Sequence, residues 1–209
     1  DLPLPKRVVA HGWWTIEGEK MSKSLGNVLS PQEMVAAAGG VDQLRYFMLK
    51  AMPFGNDGDF SKDRMIETIN ADLANNIGNL AQRTLSMIQK NCDARVPEFS
   101  DDVLTEEDKK ILFWGYADAT SVAKEANNIQ TGGFLDSLQG ILKAAQEANL
   151  YVDTQAPWVQ KKENPARMNA ILYHLAEVVR CIAIMLQPYC PAAASKMLDQ
   201  LAVPASERT

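Results

Sequence analysis

The sequence predicts a mainly α fold, in which a short β/α segment leads into an antiparallel α-helical bundle. Three observations carry this. After Phe60, apolar residues recur every three and four positions along several long stretches, the pattern of helices with one buried stripe. Helix start and stop signals separate those stretches at short intervals, which makes sequential helices antiparallel neighbours. Only the run from Arg7 to Ile16 is dense in β-branched and aromatic residues, and it reads as a strand ended by a turn at Glu17-Gly18.

Each element follows in order. Ser30 is placed to N-cap a helix that begins with Pro31 and stops at Gly39. Asp42 is placed to cap the next, which runs through Tyr46, Phe47 and Leu49. Pro53 to Gly58 is a loop by composition, and the domain division is drawn there, giving residues 1–57 and 58–209. Ser61 opens a long helix to about Lys90, with Met65, Ile66, Ile69, Leu73, Ile77, Leu80 and Ile88 stepping by three and four as one buried stripe. Thr105 to Asp108 forms a capping box that starts a helix to about Asn128. Gly132-Gly133 breaks the chain before a third long helix through Leu138, Ile141 and Leu142. Gln155-Ala156-Pro157-Trp158 is a turn, and Asn164-Pro165 caps a fourth long helix stopped by Pro188 and Pro191. A short helix then runs through Met197 and Leu198 to Leu201.

Composition narrows the function. The 209 residues are 46% hydrophobic and 22% charged, ordinary for a globular protein, with a net charge of −5. That charge argues against a basic coat for nucleic acid and leaves room for a compact base-stacking site. No apolar run looks long enough to cross a membrane and no signal peptide opens the chain, so a cytoplasmic setting without membrane is expected. The start at Asp1, without Met, suggests a piece of a longer protein. Cys92, Cys181 and Cys190 form no CxxC pair, and neither His11 nor His174 stands at ligand spacing from such a pair. No metal site is expected, the thiols read as small buried hydrophobes, and His174 reads as a helix residue without catalytic duty.

One segment carries chemistry. Gly18-Glu19-Lys20-Met21-Ser22-Lys23-Ser24-Leu25-Gly26-Asn27 sets two lysines around hydroxyl residues before a glycine. Such a loop offers two ammonium groups and several backbone N–H donors to an anion whose charge grows during reaction, above all a polyphosphate. A solvated Lys/Ser turn is the plain alternative.

The string Lys20-Met21-Ser22-Lys23-Ser24, followed by Leu-Gly-Asn and a Pro-initiated helix, resembles the KMSKS signature of class I aminoacyl-tRNA synthetases. In that family the loop follows the last strand of a Rossmann catalytic domain. The resemblance implies that Lys20 to Ser24 bind ATP, with Mg as its usual counter-ion, while an amino-acid carboxylate attacks the α-phosphate. Lys23 would be the main catalytic side chain and Lys20 its assistant. The HIGH-type motif, the amino-acid pocket and any zinc-bearing insertion are missing from this stretch, and His11-Gly12 does not replace the motif. The chain alone is expected to be inactive.

Among class I enzymes the methionyl-tRNA synthetases are the most similar. Ala10 to Glu19 resembles their approach to KMSKS, Asp57 to Ser61 their linker, Asn70 to Arg83 their first bundle helix, and Gln155 to Trp158 their anticodon-proximal turn. The resemblance implies that Asn79, Arg83 and Trp158 contact the CAU anticodon of the methionine tRNA, with methionine and ATP as the other substrates of the whole enzyme. The physics is consistent, since residues i and i+4 share a helix face and a Trp after a proline can stack on an unpaired base. Asp153 is a candidate for orienting that site. Three other readings stand beside this one: a cysteinyl- or leucyl-type class I synthetase, a non-catalytic helical RNA-binding module, and a helical interaction protein. In the last two, Asn79 and Arg83 are ordinary surface residues and Trp158 a core aromatic.

Overall fold

The computed structural model describes residues 4–6, 8, 10–53, 55–115 and 133–208. Among these, three short strands precede a series of helices. Strands β1 (Trp14–Ile16) and β2 (Glu19–Lys20) form a hairpin, and β3 (Gly58–Phe60) pairs with β1 in parallel, so the sheet order is β2-β1-β3. Between them lie α1 (Pro31–Ala38) and α2 (Val41–Lys50). The strand is shorter than the composition suggests, and β3 lies where only a loop and linker are legible. Its pairing with β1 is a long-range event that no local pattern announces.

Gly12 shows how tightly this corner closes. A Cβ there would lie 2.1 Å from the Asn56 backbone, so only glycine lets the lead-in to β1 pass the loop after α2. Trp14, Phe47 and Phe60 pack behind the sheet, with the Phe47 and Phe60 rings meeting edge-on at 5.9 Å. Residues on both sides of position 57 thus share one sheet and one small core.

The long helix from Lys62 has an unexpected interior. Helix α3 (Lys62–Ile69) and α4 (Asn79–Asn91) are joined without a break by a π-helical stretch, Asn70–Gly78. The wider winding brings Asn76 and Ile77 inward together. It also brings the Gly78 position to the Leu73 carbonyl, where a Cβ would sit at 2.8 Å. Periodicity cannot show this, because apolar spacings of three and four survive one wide turn.

The bundle is completed by α5 (described over residues 106–115), α6 (Gly133–Gln155), α7 (Pro157–Glu163), α8 (Pro165–Leu186) and α9 (Pro191–Gln200). The expected extension of α5 to Asn128 lies outside the described residues. Contacts fix the senses. Ile88 packs with Met168 and Leu172, and Phe134 with Tyr189, so α8 runs against both α4 and α6. Helix α8 is the core, with Ile171, Leu172, Leu175, Val178 and Ile182 buried. Its 22 residues are long and apolar enough for a membrane span, contrary to the expectation from the sequence, but most of that surface is covered by the bundle.

Caps match in part. The Thr105–Asp108 box forms reciprocally, and Asn164 accepts from the Arg167 amide. Ser30 and Ser61 hold the N-cap positions without capping through their hydroxyls, and the Ser30 hydroxyl donates to Gln32 instead. Asp42 is not the cap of α2, which starts a residue earlier. Its carboxylate accepts from the Ala193 amide and pins α9 to α2. Cys181 and Cys190 are buried free thiols, raised to about 11 and about 12 mainly by burial, while Cys92 is half-buried.

Candidate functional site

The lysine-serine loop leaves β2 at Lys20 and turns back at Leu25-Gly26, whose amides donate to the Ser22 and Lys23 carbonyls. Asn27 staples its two ends. Its Oδ1 accepts from the Ser22 amide at 2.7 Å and its Nδ2 donates to the Lys20 carbonyl at 3.2 Å. The Ser22 and Ser24 hydroxyls bond each other at 2.6 Å. Lys23 and Ser24 are exposed, and Met21 lies at the surface. The Lys20 ammonium stands 5.6 Å from the Trp13 ring centroid, and that ring is 72% exposed. Lys20 and Lys23 are thus presented to solvent on a loop whose backbone is tied down by its own asparagine.

Two carboxylates from the linker stretch Asp57 to Ser61 hold the hairpin beneath this loop. Asp57 accepts from the Trp13 amide at 2.7 Å. Asp59 accepts from the Thr15 hydroxyl at 2.6 Å and from the Gly18 amide at 2.8 Å, across the turn that aims β2. The Thr15 hydroxyl and the Gly18 N–H hold the Asp59 carboxyl below its usual range. The string Asp-Gly-Asp-Phe signals a turn, and nothing local shows that its acids face a hairpin far back in the chain.

At the bundle, Asn79, Arg83 and Trp158 come together. Asn79 Nδ2 donates to Asn149 Oδ1 at 3.1 Å, and Arg83 Nη2 pairs with Asp153 Oδ1. The Arg83 guanidinium carbon is 5.9 Å from the Trp158 ring centroid. The two rungs, 79 to 149 and 83 to 153, rise together, so α4 and α6 run in the same sense here. Trp158 is 48% exposed, which rules out a core aromatic. Asp153 reaches Arg83 directly.

The turn that presents Trp158 is built from behind. Ala156 takes left-handed angles (φ 44°, ψ 61°) and Pro157 starts α7, a helix where the local composition shows only a turn. Beneath it lies a buried ion pair. Arg167 Nη2 donates to Asp108 Oδ1 at 2.8 Å, to Gln155 Oε1 at 2.6 Å and to Thr105, while Tyr151 donates to Asp108. Burial pushes the Asp108 carboxyl up, but hydrogen bonds from Arg167, Tyr151 and the Thr105 amide outweigh it and hold it at about 2. Gln155, next to Ala156, is thereby anchored.

His174 is fully buried on α8. Neither ring nitrogen has a hydrogen-bond partner among the described residues, and the ring meets Phe99 and Tyr173 edge-on. Burial pushes its pKa down.

A strand-hairpin loop with two presented lysines, joined to a bundle that exposes an Arg/Trp pair, is what the resemblance to class I aminoacyl-tRNA synthetases implies. Residues 1–85 match the family described as tRNA synthetases class I (M), and residues 123–208 match the anticodon binding domain of methionyl tRNA ligase. The methionine–tRNA ligase of Brucella suis is 50% identical over the whole chain, and that of Rickettsia felis 43%. A solved structure, the Mycobacterium tuberculosis methionyl-tRNA synthetase in complex with methionyl-adenylate, superimposes with a TM-score of 0.87 at 40% identity over 99% of the chain. The two family matches together take in most of the chain, which is similar to methionyl-tRNA synthetases along its length. The chain spans 39–40% of the length of these relatives.

Proposed function

We propose that this chain is the part of a methionine–tRNA ligase that clamps the ATP triphosphate and reads the anticodon of the methionine tRNA, CAU. Its partners would be ATP, with Mg as the counter-ion of the triphosphate, methionine, and that tRNA. In the whole enzyme the methionine carboxylate would attack the α-phosphorus of ATP, the bond from that phosphorus to the α,β-bridging oxygen would break, and the β- and γ-phosphates would leave together as pyrophosphate with the electron pair. The nucleophile is already ionised, so no general base is needed. What this chain adds is positive charge where the leaving group gains negative charge. Lys23, exposed at the loop tip, is suited to follow that charge, and Lys20 to assist from the strand end. Met21, Ser22 and Ser24 complete the ATP-binding segment, and the Asn27 staple holds its ends in register.

The observation that carries the reading of the bundle is the convergence of Asn79, Arg83 and the half-exposed Trp158 at one place. Arg83 offers donors to base edges and the Trp158 ring offers a stacking face. A binding titration tests it. The protein should bind an anticodon stem-loop carrying CAU more tightly than one with the three bases scrambled. Equal binding of the two would remove the assignment.

A further inference from the structure

Asn79 does not stand alone on its helix face. Asn76 is buried in the π-helical stretch, and its Nδ2 donates to the Leu142 carbonyl at 3.1 Å. Asn149 Nδ2 shares its protons among the Asn76 side-chain oxygen at 3.2 Å, the Asn76 carbonyl at 3.1 Å and the Ala145 carbonyl at 3.0 Å. Asn149 Oδ1 accepts from Asn79 Nδ2. The three carboxamides therefore form a chain whose direction is set at its buried end. A backbone carbonyl can only accept, so each amide that faces one must present nitrogen. Turning Asn149 over would set its oxygen against three other oxygens. With Asn149 held, its oxygen faces Asn79 and draws the Asn79 nitrogen inward. The acceptor left over is Asn79 Oδ1, which has no hydrogen-bond partner among the described residues, and the second Nδ2 proton lies on the same carboxamide.

We infer that Asn149 is a positioning residue. Together with Asn76 it locks the Asn79 carboxamide so that its oxygen is turned to the RNA, and the site thereby selects a base edge bearing an amino group. The inference rests on the anticodon reading above and deepens it. A free carboxamide can rotate and accept from cytosine N4 or donate to uracil O4 with equal ease. A locked one keeps its oxygen, an acceptor, where the base edge must meet it. Cytosine, with its N4 amino donor, satisfies it, and uracil sets O4 against Oδ1 and leaves both unpaired. Arg83 supplies donors only, so the pair offers one acceptor beside several donors. The π-helical winding has a use here, since it turns Asn76 into the bundle, where the relay starts.

The test compares two anticodon stem-loops that differ by cytosine or uracil at the first anticodon position, titrated against the protein. The unaltered protein should prefer cytosine by roughly tenfold or more, the range of one well-placed base-edge contact. Asn149→Leu, shown folded by its melting curve, should bring that ratio to within about twofold, as should Asn79→Ala, and the double variant should be no worse than either single one. A purely structural asparagine would lower the melting temperature and leave the ratio intact. Trp158→Ala should weaken both RNAs alike and keep the ratio. If Trp158→Ala and Arg83→Ala leave binding unchanged, the anticodon reading falls. If they weaken it but folded Asn149→Leu keeps the cytosine preference, only the relay falls. Should Asn149→Leu fail to fold, hydrogen exchange of side-chain amides in the unaltered protein decides. Asn79 amide protons should exchange far more slowly than those of exposed Asn75, and equal rates would overturn the lock.

Discussion

The Arg83 guanidinium lies 5.9 Å from the Trp158 ring centroid while its Nη2 pairs with Asp153, so one side chain ties α4, α6 and α7 together at their common surface. The cation and the ring stay half-open, so on the proposed reading each could exchange its partner for a base. Trp158→Ala should weaken anticodon stem-loop binding by roughly 1–3 kcal/mol, the usual worth of one base stacked on an aromatic ring. Arg83→Ala should cost a similar amount and also narrow the gap between CAU and altered anticodons. Titrations on variants whose circular dichroism matches the parent check both.

Lys23→Ala, introduced into a full-length enzyme that contains this chain, should slow adenylate formation by roughly 100-fold, with methionine affinity little changed. On the proposed reading, the charge that Lys23 meets would develop only as pyrophosphate departs. Asp59→Ala should slow the same step by a smaller factor, because it loosens the Thr15 and Gly18 contacts that aim β2 and leaves Lys23 in place. Single-turnover pyrophosphate release measures the two side by side.

The Asp108–Arg167 pair should dominate the stability of the end of the bundle that carries Trp158. Asp108→Ala leaves Arg167 charged with few partners in a buried place, and such a loss costs about 3–5 kcal/mol. Urea unfolding followed by tryptophan fluorescence would read it as a lower midpoint.

Stability should fall in two steps on acidification. His174 has a folded pKa depressed below 6.5, so the unfolded chain takes up its proton first and stability drops as pH falls below about 6.5 toward the folded value. Asp108, at about 2 against an ordinary 3.8, contributes stability that is complete above about pH 4 and is lost as pH falls toward 2. His174→Leu should erase the upper step and leave the lower one. Melting temperatures measured from pH 7 to pH 2 separate them.

Two backbone positions give opposite expectations. Ala156→Gly should be neutral or stabilise by up to about 1 kcal/mol, since glycine relieves the left-handed strain at φ 44°. Gly78→Ala should destabilise by about 1–3 kcal/mol, because its methyl group meets the Leu73 carbonyl. Thermal melts of the two variants check the signs.

The sequence by itself determined the mainly α class, most helix bounds, the capping box at Thr105, and the loop that presents Lys20 and Lys23. These are local matters. Period, cap chemistry and proline placement act within a turn or two of the residue concerned, so they can be read one window at a time. The i, i+4 spacing of Asn79 and Arg83 was legible for the same reason. Only the tertiary structure decided that Trp158 stands beside Arg83, that Asp59 belongs to the Gly18 turn, that Asp42 serves α9, and that the Lys62–Asn91 helix widens in its middle. Each of these depends on which distant backbone donor or acceptor a side chain meets. A carboxylate or carboxamide carries no mark of its partner until packing excludes water from every other choice. Asn149 is the clearest case: an ordinary helix asparagine in the sequence, it takes its orientation from three carbonyl oxygens that only the folded bundle brings to it.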